Sequence, residues 1–430
     1  MQITKAEVIP VELKLQQPVR MAGLPAINHI TAIFVRIETR QGQNAWGCTI
    51  ANPDLTGEKP EDVLRACREC AELAPDLHPM NIEFSLDELA SRARATPSAM
   101  CAFDLAFHDL LSLAAGMPLY RILGGYRNRI QTSVTIPIAA VNENVKMACK
   151  RANQGFRMLK IKGGLDPEED VQRVQAIHRA LPNHILRLDA DGGYSIEQAL
   201  DVARALENVL EMLEQPTLAD DLTGLRRVKE ISPIPVLADQ SLRGPASALK
   251  LVADRMVDGL SIKLVTSGGL RNARQIDAIA RAAKMATMIS CFIEPALLIS
   301  AGLSLALSSP NVAYGDLDGY LDLINDPSKA GFKLEDGWLV TNDVPGLGYT
   351  VDLGYLAIEE LPDRPIVISF LAFNRRLNQK SPSQLKGIPH RNPACKERML
   401  RHAKNACFGM QRTHAGSKEH CLKNRCFTEA

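Results

Sequence analysis

Phe156-Arg-Met-Leu-Lys-Ile-Lys162, Ile185-Leu-Arg-Leu-Asp189, Met212-Leu-Glu214, Val236-Leu-Ala-Asp239 and Leu260-Ser-Ile-Lys263 decide the fold. Each is a short apolar run closed by a charged residue, and the closing residues stand 27, 25, 25 and 24 positions apart. A strand, a helix and two short loops use about that much chain. The spacing therefore predicts successive βα units of a parallel α/β barrel. In such a barrel, residues at the C-terminal ends of neighbouring strands converge on one mouth.

Asp189, Glu214 and Asp239 then sit side by side, with a lysine strand before them and another after. Three carboxylates at close quarters repel and do not all stay ionised without a cation. A hard divalent ion with oxygen ligands, most simply Mg²⁺, resolves the conflict. Lys160 and Lys162 are two apart, so both leave one face of their strand. A central barrel strand has no solvated face, which turns the pair inward. The proximity of two ammonium groups and an ion is expected to depress both lysine pKa values. Lys263, sharing a face with Ser261 and Val265, stands where a barrel interior ordinarily holds Val or Ile.

Lys160-Ile-Lys162, Asp189, Glu214-Gln215-Pro216, Asp239 and Lys263 resemble, in type and order, the signature of the enolase superfamily. The likeness is to its muconate-lactonising subgroup, most of all to dipeptide epimerases, and covers roughly residues 1–360. It implies an α/β fold: a modified TIM barrel, (β/α)7β, with an α+β N-terminal capping domain completed by C-terminal strands. The implied divisions are 1–125 for the cap, 126–330 for the barrel and 331–364 for the return to the cap.

By the same resemblance, one Mg²⁺ per subunit is held by Asp189, Glu214 and Asp239, and Lys162 and Lys263 are opposed catalytic bases. Lys160 and Thr135 face the substrate. Asp316-Leu-Asp318 resembles the element that holds a dipeptide's α-ammonium. Met21–Ile27 and Ala51–Gly57 correspond to the cap loops that close over the mouth, with Leu24 as a specificity contact. Glu294, after the seventh strand, is a further mouth carboxylate. The chain departs from the pattern at Asp191, where asparagine is common, at Gln240, where glutamate is usual, and at Pro137, where glycine often stands.

Two opposed bases beside a carboxylate-chelating ion imply 1,1-proton transfer, here epimerisation of an L-Ala-L-Xaa dipeptide with an apolar second residue. Sites of the enolase superfamily pair a Lys or His base with Mg²⁺, which stabilises the ene-diolate. Acyl-amino-acid racemisation, or a lyase or cycloisomerase reaction through the same enediolate, uses the same parts. A different class, a non-catalytic barrel binding nucleic acid through its tail, is a third reading.

The rest of the chain is consistent with a metabolic enzyme. Residues 371–430 hold 13 Lys+Arg against three acids, a net of +10, which leaves the remainder at −9. That basic tail, 365–430, lacks periodicity and is expected to be poorly ordered. It lacks aromatic interleaving, so no nucleic acid is expected as partner. Ten scattered cysteines fit a reduced compartment, and Cys67-Arg-Glu-Cys70 is a lone pair read as helical packing. No apolar run reaches the ~20 residues of a membrane span, and Met1-Gln-Ile-Thr-Lys5 lacks a signal-peptide layout. A cytoplasmic homo-oligomer acting on a small carboxylate or dipeptide is expected.

Overall fold

The computed structural model describes residues 1–92, 96–352 and 354. The expected tail, 365–430, lies outside them, as does most of the return beyond residue 352.

The chain opens with three antiparallel strands, β1 (Ile3–Val19), β2 (Ile27–Thr39) and β3 (Asn44–Ala51), in that spatial order. Alternation along β2 sends Ile33, Val35 and Ile37 to one face, where they meet Val63, Cys67, Phe103 and Phe107 of the cap helices. Ala32 and Phe34 go to the other face and join a second core that continues into the barrel. Burial on both faces explains the unbroken run Ile30-Thr-Ala-Ile-Phe-Val35. Helix Pro97–Ala115 crosses β3 so closely that a Cβ on Gly47 would lie 1.8 Å from the Ala102 carbonyl oxygen. This helix is also long and apolar enough to cross a membrane by length and composition, but 78% of its apolar window is buried inside the protein.

Arg129–Gln131 forms β4 and Ser133–Ile136 forms β5. The sequence predicts one strand across Gln131–Ile138; the structure divides it. Then β6 (Met158–Lys162), β7 (Ile185–Asp189), β8 (Leu210–Glu214), β9 (Val236–Ala238), β10 (Gly259–Lys263), β11 (Ala286–Ser290) and β12 (Val312–Asp316) follow. Each pairs in parallel with its sequence neighbour, from β5 to β12. The eight-stranded barrel read from the charge spacing is therefore the fold. Between β12 and β5 side chains take over from the ladder. Leu317 N–H donates to Thr132 Oγ1 (2.7 Å), Thr135 N–H to Asp318 Oδ2 (2.6 Å), and Ser133 Oγ to Asp316 Oδ1 (2.6 Å).

Local signals start the barrel helices. Asp166 caps Pro167–Ala180 by accepting from the Glu168 and Glu169 amides. Ser195 and Gln198 form a capping box on Ile196–Ala205. Helix Ala296–Ser308 has every residue buried, because it lies between β11 and the cap strand β3. A helix apolar all round needs such a place.

The remaining strands are β13 (Ser328–Lys329), β14 (Phe332–Glu335), β15 (Trp338–Thr341) and β16 (Thr350–Val351). Among the described residues the return toward the cap adds no strand to the cap sheet; β14 pairs with β15, β15 with β4, and β13 with β16. One tie to the cap is made by Asp109 of helix Pro97–Ala115. It accepts from the Leu347 amide (2.9 Å) and the Tyr349 hydroxyl, which itself accepts from the Trp46 amide (2.7 Å).

Candidate active site

The ladder sets the site. Lys162 on β6 pairs with Asp189 on β7, and Asp189 with Glu214 on β8, so their side chains leave the barrel at one level. Asp239 follows β9 directly. Its level is fixed by Gln215, whose Oε1 accepts from the Asp239 amide (2.9 Å) and the Ser241 amide (3.1 Å). Gln215 adopts a left-handed φ of 36° to do so. In the sequence Gln215 is only one letter of a motif, and nothing there signals this bracing role.

Asp189, Glu214 and Asp239 are buried and offer oxygens within 4.8 Å of one another. Glu214 Oε1 and Asp239 Oδ2 are buried without a hydrogen-bond partner among the described residues. Buried carboxylate oxygens are rarely left so. An oxygen trio with orphaned acceptors fits a hard divalent cation.

Lysines ring the trio. Lys160 Nζ reaches Asp189 Oδ2 (2.8 Å), Glu214 Oε2 (2.9 Å) and Asp316 Oδ2 (2.8 Å). Lys162 Nζ lies 2.9 Å from Asp189 Oδ2 and 2.8 Å from Asp191 Oδ1. Lys263 on β10 pairs with Asp239 from the other side and sits 4.9 Å above the Phe292 ring. Val265 does not share its strand face, because β10 ends at Lys263 and a short helix, Leu264–Ser267, begins.

Burial works against each lysine's charge, but the unneutralised carboxylates around Lys160, Lys162 and Lys263 outweigh it, and all three pKa values rise. The depression expected from the sequence concerns the ion-loaded site, in which a divalent charge would offset those carboxylates. Burial, then Asp189, pushes Glu214 up to about 7. Asp189 moves the other way, since Lys160 and Lys162 overcome the burial that opposes its charge.

Asp316, at the end of β12, is already bonded to Lys160, Ser133 and Ser290 (2.8 Å). Asp318 lies beyond the strand, receives the Thr135 amide and is raised to about 6 by burial and by Asp316. Glu294 is buried between mouth and cap, accepts from the Phe292 amide (3.2 Å), and is pushed up to about 8 by burial. Leu24 is half-buried in the loop after β1. That loop is pinned over the mouth: Ile138 N–H donates to the Arg20 carbonyl, and a Cβ on Gly164 would lie 2.9 Å from Ala22 Cβ.

A parallel barrel whose mouth holds an acid trio between lysines is the framework of a metal-assisted barrel enzyme. Residues 3–124 match the mandelate racemase/muconate lactonizing enzyme N-terminal domain, and residues 143–355 match the enolase C-terminal domain-like family. An L-Lys-D/L-Arg epimerase of Desulforapulum autotrophicum is 34% identical over 353 residues, covering 81% of this chain and 99% of that protein. The dipeptide epimerase of Enterococcus faecalis, solved with Mg and L-Leu-L-Tyr, superposes with a TM-score of 0.79 at 32% identity, over 81% and 100% of the two chains. That of Methylococcus capsulatus, solved with Mg and L-Arg-D-Lys, gives 0.76 at 34%, over 81% and 99%. The chain belongs to the mandelate racemase/muconate lactonizing enzyme family of the enolase superfamily.

Proposed function

We propose that this protein is a Mg²⁺-dependent dipeptide epimerase, an isomerase that removes and returns the α-proton beside a substrate carboxylate. The observation that carries the reading is the placement of Lys162 on β6 and Lys263 on β10, on opposite flanks of Asp189, Glu214 and Asp239. Relatives that act on dipeptides, two of them solved with Mg and a dipeptide, support it.

An α-proton beside a carboxylate is very weakly acidic. Mg²⁺ held by the trio would draw charge from that carboxylate and make the proton removable. Lys162 exchanges the proton at one face and Lys263 at the other, so loss at one and gain at the other inverts the centre. Lys160, tied to Asp189 and Glu214, adds positive charge where negative charge develops. Asp318 receives the substrate's α-ammonium, because Asp316 is committed to Lys160, Ser133 and Ser290. Thr135 borders the same place through its bond to Asp318. Leu24, Pro25 and Ile27 offer no charge to a second-residue carboxylate, so an apolar second residue is favoured.

The test is Mg²⁺-dependent α-deuterium uptake from D₂O by L-Ala-L-Xaa dipeptides with apolar, acidic and cationic second residues, read by mass spectrometry. Uptake that stops with chelator, strongest for apolar peptides, is expected. A preference for L-Ala-L-Glu or a cationic peptide would reject the apolar choice. No uptake from any dipeptide would move the reading to acyl-amino-acid and lyase substrates.

A further inference from the structure

Asp191 stands two residues past Asp189, in the turn after β7, at a left-handed φ of 47° that Asp and Asn tolerate better than most residues. Its nearly buried carboxylate has two neighbours. Lys162 Nζ donates to both oxygens (2.8 and 2.9 Å), and Gln240 Nε2 donates to Oδ1 (3.0 Å). Gln240 Oε1 is buried and has no hydrogen-bond partner among the described residues. The amide is nevertheless oriented, since turning it over would set its oxygen against the carboxylate.

Gln240 lies just past Asp239, as Asp191 lies just past Asp189, so the contact ties the turn after β7 to the turn after β9, past the intervening strand. These are also two of the three positions at which the sequence departs from its family pattern. In space they are one hydrogen-bonded pair.

We propose that Asp191 is a positioning residue for Lys162 and that Gln240 holds Asp191 in place, the two forming one unit of a single carboxylate and a single amide. The proposal rests on the reading of Lys162 as a proton-transferring group. A lysine stem is flexible and its ammonium is a point charge without built-in direction. Asp189 alone supplies one acceptor. The two oxygens of Asp191 supply the rest and pull the head to one flank of the trio. Asp191 acts through Lys162, so its loss is felt at one face of the substrate and not at both.

The test is a cycle of D191N, Q240E and D191N/Q240E. Asn keeps the left-handed backbone and an oxygen for Lys162, and the Gln240 amide can turn to meet it, so D191N loses mainly the charge. Q240E sets two carboxylates together with no donor between them. The double variant restores one carboxylate and one amide with the middle bond reversed.

The measurement is α-proton exchange with D₂O from each epimer of the accepted dipeptide separately. For the epimer whose proton faces Lys162, Q240E should slow exchange about 100-fold and D191N about 10-fold, with the double variant recovering to within about threefold. Exchange at the Lys263 face should change by less than about threefold in all three. Additive losses in the double variant, or equal losses at both faces, would overturn the proposal. Thermal unfolding of the same four proteins needs no substrate. Non-additive midpoints there uphold the pair even if no dipeptide exchanges, an outcome that would count against the epimerase reading alone. Additive midpoints would count against the pair.

Discussion

The two ends of the barrel interior both carry buried charge, and they handle it in opposite ways. At the mouth, Lys160 touches three carboxylates at once, and oxygens of Glu214 and Asp239 still lack partners among the described residues. Nearer the opposite end, Arg187 is 1% exposed and its charge is matched. It pairs with Glu211 (2.7 Å), donates to the Gly315 carbonyl (3.2 Å), and lies 5.2 Å over the Tyr314 ring, beside Met212, Leu237 and Met288. The mouth is left unbalanced, as a site that takes up a cation would be. The closed end is balanced by the chain itself, as the division of barrels into a working face and a stabilising face leads one to expect.

Replacing Lys263 with Ala should have the largest effect and probes the mouth. Proton exchange should fall by about 10³-fold or more. Loss of the ammonium leaves Asp239 without its partner, so the unfolding midpoint should fall without Mg²⁺ and recover when Mg²⁺ is added. A loss of stability that Mg²⁺ does not recover would show the mouth to be as structural as the other end. Arg187→Ala probes that other end. It should cost about 3 kcal/mol in unfolding, through lost packing and an unpaired Glu211. Exchange per folded molecule should stay near that of the unaltered protein; a matching fall in exchange would erase the distinction.

The most gradual effect concerns the border between mouth and cap. Burial raises Glu294 to about 8, so the folded state keeps a proton that the unfolded chain gives up. Folding is then favoured at low pH, and this contribution is lost as pH climbs from about 4.5 toward about 8. Unfolding free energy of the unaltered protein, compared with Glu294→Gln, should decline over that window, by at most about 1.4 kcal/mol for each pH unit. A difference that stays flat with pH would place the Glu294 carboxyl in a more polar setting.

What is legible in the sequence follows the same contrast. Charged residues closing apolar runs at regular intervals can be read, because a buried charge on a central strand has few explanations other than a site. Arg187 is also within reach: it precedes Asp189 by two and shares its face, yet it is easily passed over inside an apolar run. The division of the first barrel strand is not legible, because β4 is drawn away by β15, more than 200 residues later. Nor is the end of β10 at Lys263, where Leu264–Ser267 turns into a helix under a cap helix it touches. Asp191 and Gln240 each look like an isolated departure, since nothing in one chain says that positions 49 apart share a hydrogen bond. Lysine pKa directions are out of reach for a related reason: they depend on how many charges of each sign surround each head, and that is a count in space.

The sheet strand β2, oily on both sides, bears on how such a protein can change over generations. One side belongs to the cap and the other to the core shared with the barrel. A recombination event that grafted this cap onto a foreign barrel would present Ala32 and Phe34 to a surface never shaped to receive them. The two halves are therefore shaped to one another. Leu24 and Asn52 stand outside that shared core, so residues there can be exchanged without reopening the seam.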